Sequence, residues 1–384
     1  MNLAYVPAAP SIAATMFDLV VSASSIFAGN WESGAGAVAA ENQALRWLAD
    51  LAGLPETAGG VFVSGGSAAN LSALVTARAR HLAEHGRPER FAVAATGEVH
   101  ASVRAAAAVM DIDVLGVELD DRGRMTAEAL TTALDSRPAG GPNGGVFAVV
   151  ATAGTTNAGA IDELDAIAEV CCERELWLHV DGAYGLAALC SSKARPRFEG
   201  IERCDSFGID PHKWLFVPYD CAALVYRDPS LAAQAHAQHG SYLDAIDRGE
   251  WNPADYAYHL SRRARGLPLW FSLATYGTTA YAEAVERSIT TAEAFAAEVD
   301  RRDGFGLLVE PQLSVVLFTC AGWAHADYLR WSRQRAREGV ALVVPTAWQG
   351  QACLRICLVN PRTTLDALIG VLDDLAAFDI RSGS

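Results

Sequence analysis

Two lysines stand among the thirty basic residues of this chain, and the surroundings of one of them point to covalent chemistry. Lys213 lies in Ser206-Phe-Gly-Ile-Asp-Pro-His-Lys-Trp214, downstream of His179-Val-Asp-Gly-Ala-Tyr184. Elsewhere the chain uses arginine, whose guanidinium stays charged, whereas a desolvated lysine can lose its proton and attack a carbonyl. An arginine-rich coding bias accounts for the scarcity of lysine but not for the residues around Lys213. The apolar run Trp214-Leu-Phe-Val217 comes directly after it, so desolvation is expected to lower the pKa of the amine, which suits a Schiff base.

Three further groups have complementary chemistry. In Ser64-Gly-Gly-Ser-Ala-Ala-Asn70, Gly65 and Gly66 allow close backbone approach, and the Ser67 hydroxyl and the N–H groups of a helix start offer donors to a phosphate. The same residues also suit an ordinary turn with a capping serine. Asp181 emerges from the apolar run Leu176-Trp-Leu-His-Val180, where a carboxylate is costly unless it meets a cation or donors. A protonated pyridine nitrogen would satisfy it, and so would an arginine. His100, ahead of a helix, could lie flat on an aromatic ring or cap that helix. Together these supply a phosphate anchor, a cation partner, a ring platform and an amine nucleophile, the attachments that pyridoxal 5'-phosphate requires.

The elements that must position these groups are legible as alternating short apolar runs and amphipathic segments. Strands are expected at 60–63, 91–95, 112–119, 146–151 and 176–180, with helices at 68–85, 101–109 and 162–174 between them. Such a pattern indicates a mostly parallel sheet covered on both faces, with ligands beyond its carboxyl ends. After Trp270 the pattern changes to a long helix over 272–301, strands at 314–318, 341–344 and 353–359, and helices at 326–338 and from Thr364, which is a smaller α+β domain. The polar stretch 242–261 reads as a long functional loop. The domain division is therefore an N-terminal segment 1–45, a large domain 46–268 and a small domain 269–384.

Half of the 384 residues are apolar (51%) and a fifth charged (20%), so the chain is globular, and a net charge of −15 argues against nucleic acid or an anionic membrane as partner. Eight cysteines without a CxxC spacing give no disulfide framework or zinc ribbon, which fits a reducing cytoplasm. The first positive residue is Arg46, so the apolar N-terminus lacks the basic start of a signal peptide. His81 and His85, spaced as metal ligands on a helix, lack a third partner and read as exposed helix residues, and His236 and His239 read likewise. Lys193 reads as loop surface.

The chain resembles the group II pyridoxal-phosphate-dependent amino-acid decarboxylases, the family of aromatic-L-amino-acid and glutamate decarboxylases. The resemblance runs in order through Tyr5-Val-Pro7, Ser64-Gly-Gly-Ser67, Glu98-Val-His100, Gly154-Thr-Thr156, Asp162, His179-Val-Asp-Gly-Ala-Tyr184, Asp210-Pro-His-Lys-Trp214, Ser261-Arg-Arg263, Leu354-Arg355 and Asn360-Pro-Arg362. It implies a fold-type-I, aspartate-aminotransferase-like protomer acting as a homodimer with shared active sites, and loss of carbon dioxide from a free L-amino acid, with an aromatic side chain the expectation. Lys213 would form the Schiff base, Asp181 would partner the pyridine nitrogen, and His100 would stack on the ring. Gly65, Gly66 and Ser67 would hold the phosphate, with Asp210 near it. Ala183 would pack under the ring, Thr156 and Asp162 would lie close to the cofactor, and His212 would face the substrate carboxylate. A loop tyrosine would return a proton to the substrate carbon, with Tyr256 preferred over Tyr258.

Several positions depart from the family pattern. Asp210 stands where animal members have asparagine, and a negative charge beside a phosphate needs a compensating donor. Ala68 stands where glutamate is common, and Val6 replaces a bulkier aromatic. Glu32-Ser-Gly-Ala-Gly-Ala-Val38 lacks the proline and threonine usual there, and the chain starts close to the Tyr-Val-Pro motif, ahead of which members carry a further helical segment. Two other readings remain alongside decarboxylation: an aldehyde synthase using the same cofactor with oxygen, and an inactive cofactor-binding protein acting through contacts.

Overall fold

The computed structural model describes residues 1–137, 142–238 and 250–379. Helices α1 (Ile12–Ser24) and α2 (Trp31–Leu51) lead into strand β1 (Gly59–Val63) and helix α3 (Gly66–His85). Then come β2 (Ala92–Thr96), α4 (Ala101–Met110), β3 (Asp113–Val117), α5 (Ala127–Ser136), β4 (Val146–Thr152), α6 (Leu164–Glu173) and β5 (Trp177–Asp181). After β6 (Ser206–Ile209) lie the single-turn α7 (Pro211–Trp214), β7 (Ala222–Tyr226) and α8 (Pro229–His236).

These strands form one seven-stranded sheet in the order β1-β7-β6-β5-β4-β2-β3. Strand β7 is antiparallel to both β1 and β6, and every other pair is parallel. Two reversals restore direction, so β1 runs with the parallel strands and six carboxyl ends share one edge. Both faces are covered: β2, β4, β5 and β7 are buried at every residue, which is why they read as unbroken apolar runs.

Helix α9 (Leu267–Arg301) leads to a four-stranded antiparallel sheet, β10-β11-β9-β8, built from β8 (Phe305–Leu307), β9 (Val315–Cys320), β10 (Val344–Trp348) and β11 (Gln351–Cys357), with α10 (His325–Arg337) and α11 (Leu365–Ala377) against it. Helix α9 is interrupted at Gly277, whose φ of 76° lies in the left-handed region that glycine adopts without strain. Helix α2, kinked at Gly34, continues past residue 45, and its Ala44, Leu45, Leu48 and Ala49 belong to the main core. Residues 1–3 belong instead with the small sheet, where Leu3 is buried.

That N-terminal contact corrects one expected strand. Of the expected strand 341–344, residues 341–343 lie outside β10, because Leu3 N–H donates to Leu342 O (2.9 Å) and Leu342 N–H to Met1 O (2.8 Å), so pairing with β11 begins only at Val344. Two histidines also differ from expectation. His81 is 4% exposed and sits edge-on to Phe91, while His236 is buried with Nε2 at 3.0 Å from Ser72 O and 3.2 Å from Thr76 Oγ1. Both helices are covered on the faces that carry these rings, which residue spacing alone does not reveal. His239 lies outside the described residues. Lys193 is at the surface and pairs with Glu293. No helix among the described residues is long and apolar enough to cross a membrane.

Candidate active site

Adjacent strand ends deliver the chemical groups. Strand β5 ends in Asp181, and β6 leads directly into Asp210 and then to His212 and Lys213 on α7. Strand β1 leads into Gly65 and Gly66 at the start of α3, while β2 leads through residues 97–99 to His100 at the start of α4.

Asp181 is 4% exposed and has a donor on each oxygen. Asn70 Nδ2 donates to Oδ2 (2.8 Å) and Ala183 N–H to Oδ1 (3.2 Å). Behind Asn70 runs a buried polar chain: Trp177 Nε1 to Ser206 Oγ (2.9 Å), Ser206 Oγ to His179 Nδ1 (2.8 Å), and His179 Nε2 to Asn70 Oδ1 (3.0 Å). Its end members set its direction, because an indole only donates and an ionised carboxylate only accepts. Ser206 therefore donates to His179, whose ring proton is on Nε2, and the Asn70 amide turns its nitrogen to Asp181. Burial, opposed by the Asp181 charge, lowers the His179 pKa to about 4, so this ring is neutral.

A branch of the same chain reaches His100. Asn70 Nδ2 also donates to Ser102 Oγ (3.0 Å), which lies 2.7 Å from His100 Nδ1, and the Ser102 backbone N–H points at that nitrogen too (3.2 Å). His100 Nδ1 is therefore an acceptor and its ring proton is on Nε2. His100 caps α4 through this contact, and it also lines a cavity of about 370 Å³, so capping and a place beside a ligand are compatible.

Lys213 does not have the lowered pKa expected from burial alone. Burial pushes its ammonium down, but the charge and hydrogen bond of Asp210, with Asp181 and Tyr219 behind them, push it further up. Lys213 Nζ lies 2.9 Å from Asp210 Oδ2. The negative charge at Asp210 thus finds its compensating donor in the same turn of helix. His212 Nε2 is 3.5 Å from the same oxygen, and its Nδ1 accepts from Cys221 N–H (3.1 Å). Burial lowers the His212 pKa despite Asp210.

The site suits pyridoxal phosphate on three structural grounds. No side chain caps the start of α3, so its first N–H groups are available to an anion. A Cβ at Gly66 would meet Ala183 Cβ at 3.2 Å and Asp210 Oδ2 at 3.3 Å, so the cradle is shaped for glycine. Asp210 Oδ1 and Trp214 Nε1 are buried without partners.

The 370 Å³ cavity lies between the two sheets, lined by Glu98, His100, Thr156 and Asn157 on one side, Val344, Pro345, Thr346 and Arg355 on the other, and Tyr5 at the N-terminus. Arg355 is 6% exposed; its Nε donates to Thr156 O (2.7 Å) and Nη1 to Tyr5 O (2.5 Å), while Nη2 is buried without a hydrogen-bond partner. Burial raises the Glu98 pKa against a hydrogen bond from Asn157. Arg355 is visible in the sequence as a cation inside the apolar run Leu354-Arg-Ile-Cys-Leu-Val359. The role of Asn70 is not, because its partners come from two distant segments, α4 and β5.

Other expected residues are more peripheral. Asp162 spends both oxygens on backbone donors, Thr152 N–H (2.6 Å) and Met125 N–H (2.7 Å), and burial lifts its pKa to about 7 against those bonds. It thereby fixes the loop that carries Thr156. Tyr256 stacks on Trp251 (4.1 Å between centroids) and its carbonyl accepts from Tyr226, while Tyr258 is 56% exposed. Neither tyrosine lines the cavity beside His100. Residues 242–249 of the expected loop lie outside the described residues.

The sheet order, the lysine after β6, the carboxylate after β5 and the glycine cradle define a pyridoxal-phosphate enzyme of fold type I. The profile of the pyridoxal-dependent decarboxylase conserved domain matches residues 2–321. An aromatic-L-amino-acid decarboxylase of Bacillus atrophaeus is 31% identical over 98% of this chain and 80% of its own length. An L-2,4-diaminobutyrate decarboxylase of Rhizobium meliloti is 34% identical over 95% and 74%. Among solved structures, Oryza sativa TDC with PLP and tryptamine superposes with a TM-score of 0.89 at 26% identity, covering 98% of this chain and 82% of that one. The chain belongs to the pyridoxal-dependent decarboxylase family, whose members are carboxy-lyases using this cofactor.

Proposed function

We propose that this chain removes the α-carboxyl group of a free L-amino acid with an aromatic side chain, releasing the amine and carbon dioxide. The observation that carries the reading is that the neighbouring parallel strands β5 and β6 present Asp181 and Lys213 at one edge, while Ala183 and the Lys213 partner Asp210 wall the glycine cradle at α3. When bound, pyridoxal phosphate supplies an aldehyde that captures amino groups and a cationic ring that draws electrons from the reacting carbon. The chain does the rest. The N–H groups of Gly66 and Ser67, with the Gly65 turn ahead of them, would hold the phosphate at the positive end of α3. Asp181, its orientation fixed by Asn70 and Ala183, would keep the pyridine nitrogen protonated, and fixed charge of this kind is worth more in a buried site than in water. His100, which lines the cavity, would lie against the ring. Arg355 offers its unpartnered Nη2 to a carboxylate across the cavity.

Tyr5, Val344 and Pro345 favour a flat apolar side chain in that cavity. Glu98 favours a second reading, a substrate with a basic side chain, consistent with the similarity to a diaminobutyrate decarboxylase. We also infer a homodimer: α1 exposes Ile12, Met16, Leu19 and Val20 along one face, an apolar stripe suited to a second copy.

The test is a screen of free L-amino acids with the cofactor-loaded protein, scoring carbon dioxide and peroxide. Carbon dioxide without peroxide from aromatic substrates is expected. Peroxide with aldehyde would replace decarboxylation by the oxidative outcome. Preference for a diamino acid, lost in Glu98→Gln, would move the substrate to the second reading.

A further inference from the structure

We propose that Asn70 is a positioning residue of this site: through one amide it orients the Asp181 carboxylate and fixes which nitrogen of His100 carries the ring proton, and a buried relay behind it sets the orientation of that amide. The part that concerns the cofactor rests on the reading of Asp181 and His100 as partners of its ring. The placement follows from strand periodicity. Alternate residues of β5 share a face, so Trp177, His179 and Asp181 point the same way. Asn70, near the start of α3, reaches both His179 and Asp181, and Ser206 at the start of β6 pairs in register with His179. All of these side chains and Ser102 are buried, so each polar atom must find its partner within the cluster.

Three contacts use up the amide. Its nitrogen has two hydrogens, one for Asp181 Oδ2 (2.8 Å) and one for Ser102 Oγ (3.0 Å), and its oxygen accepts from His179 Nε2 (3.0 Å). Turning the amide over would set its oxygen against the Asp181 carboxylate, acceptor to acceptor, and would take the acceptor away from His179. The imidazole could adapt only by moving its proton to Nδ1, which faces Ser206 Oγ at 2.8 Å. That hydroxyl already receives Trp177 Nε1 at 2.9 Å, so it would face two donors and lose the acceptor for its own hydrogen. An indole at one end and a carboxylate at the other therefore hold the side chains between them to one arrangement.

The same amide decides the branch to His100. Its second N–H occupies a lone pair of Ser102 Oγ, which turns the hydroxyl hydrogen toward His100 Nδ1 at 2.7 Å, beside the Ser102 backbone N–H at 3.2 Å. The orientation of Asp181 and the ring proton of His100 are thus coupled: a change at Asn70 reaches both, whereas loss of the Ser102 hydroxyl reaches His100 alone. Asn70 does this without lining the cavity itself. It presents a fixed carboxylate and an imidazole of one tautomer, so that neither has to reorganise when a ring binds between them.

Nitrogen-15 NMR tests this, with histidine labelled in the cofactor-free protein and, in separate samples, with pyridoxal phosphate labelled at its pyridine nitrogen. In the wild type His100 and His179 should both carry the ring proton on Nε2, their signals assigned from His100→Gln and His179→Gln. Ser102→Ala should move the His100 Nδ1 signal and leave His179 and the bound pyridine nitrogen at their wild-type shifts. Asn70→Ala should move the signals of both histidines and shift the pyridine nitrogen toward its unprotonated position. Ser206→Ala, a smaller change away from the cavity, should admit the Nδ1 tautomer at His179 and shift the pyridine nitrogen the same way. A proton on Nδ1 of either ring in the wild type would overturn the proposal, as would a pyridine nitrogen that stays put in Asn70→Ala or, should that variant not fold, in Ser206→Ala. No bound pyridine signal in the wild type would remove the cofactor reading, while the histidine signals of the cofactor-free protein still decide the role of Asn70.

Discussion

Among the described residues two buried carboxylates meet cations, and their surroundings differ in a way that separates scaffold from chemistry. Glu41 on α2 accepts from both terminal nitrogens of Arg262 at 2.7 Å and from Gly266 N–H at 2.8 Å. It ties α2 to the segment entering α9. Asp210 has Lys213 on one oxygen and nothing on the other. Arginine cannot be neutralised in a protein, so the first pair stays ionic; lysine can lose its proton to become a nucleophile, so the second need not. Arginine stands where the charge must persist, and one of the chain's two lysines stands where it must be lost.

Breaking each pair should therefore have opposite consequences. Lys213→Ala is expected to lower turnover by on the order of 10⁴-fold or more, as removal of a covalent nucleophile does. Its unfolding curve in urea should move less than that of Glu41→Ala, because a carboxylate left without its cation can be neutralised whereas a guanidinium cannot. Glu41→Ala leaves the Arg262 guanidinium buried without its counter-ion and should lose about 3–5 kcal/mol in the same urea titration. A large stability loss in Lys213→Ala would erase the contrast. Between these extremes, Asn70→Ala removes donors to Asp181 and Ser102 and an acceptor from His179, and should cost roughly 1–3 kcal/mol of stability. Cofactor affinity should fall with it if Asp181 and His100 hold the ring.

A smaller effect is set by the buried His179 and the half-buried His259. Burial holds His179 and His259 down to about 4, with Arg262 and Arg265 adding to the effect at His259. Between about 4 and the ordinary value of 6.5 the unfolded chain binds protons that these rings refuse in the fold, so their contribution to stability is lost as pH falls through that window. The decline of the urea midpoint from about pH 7 to about pH 5 should be shallower in His259→Asn than in the wild type.

The parallel sheet was legible in the sequence because strands buried on both faces are unbroken apolar runs, as at Val146–Thr152. Lys213, Asp181 and His100 were legible because residues with costly chemistry stand at the ends of such runs. The features that stayed hidden depend on contacts across the chain. The lowered pKa expected of Lys213 came from burial, and its reversal comes from where the short α7 turn puts the Asp210 carboxylate. The orientation of Asp181 depends on Trp177, Ser206 and His179 reaching Asn70 through three-dimensional packing, which no spacing announces. The seating of residues 1–3 on the small sheet shifted β10 for the same reason.

Reductive trapping is the most direct measurement of the attachment at Lys213. The cofactor-loaded protein is treated with borohydride, digested, and the peptides are read by mass spectrometry. A Schiff base at Lys213 predicts the pyridoxyl mass on the peptide carrying that residue, with Lys193 unmodified. Label on Lys193 or on the N-terminal amine, with Lys213 unmodified, would contradict it.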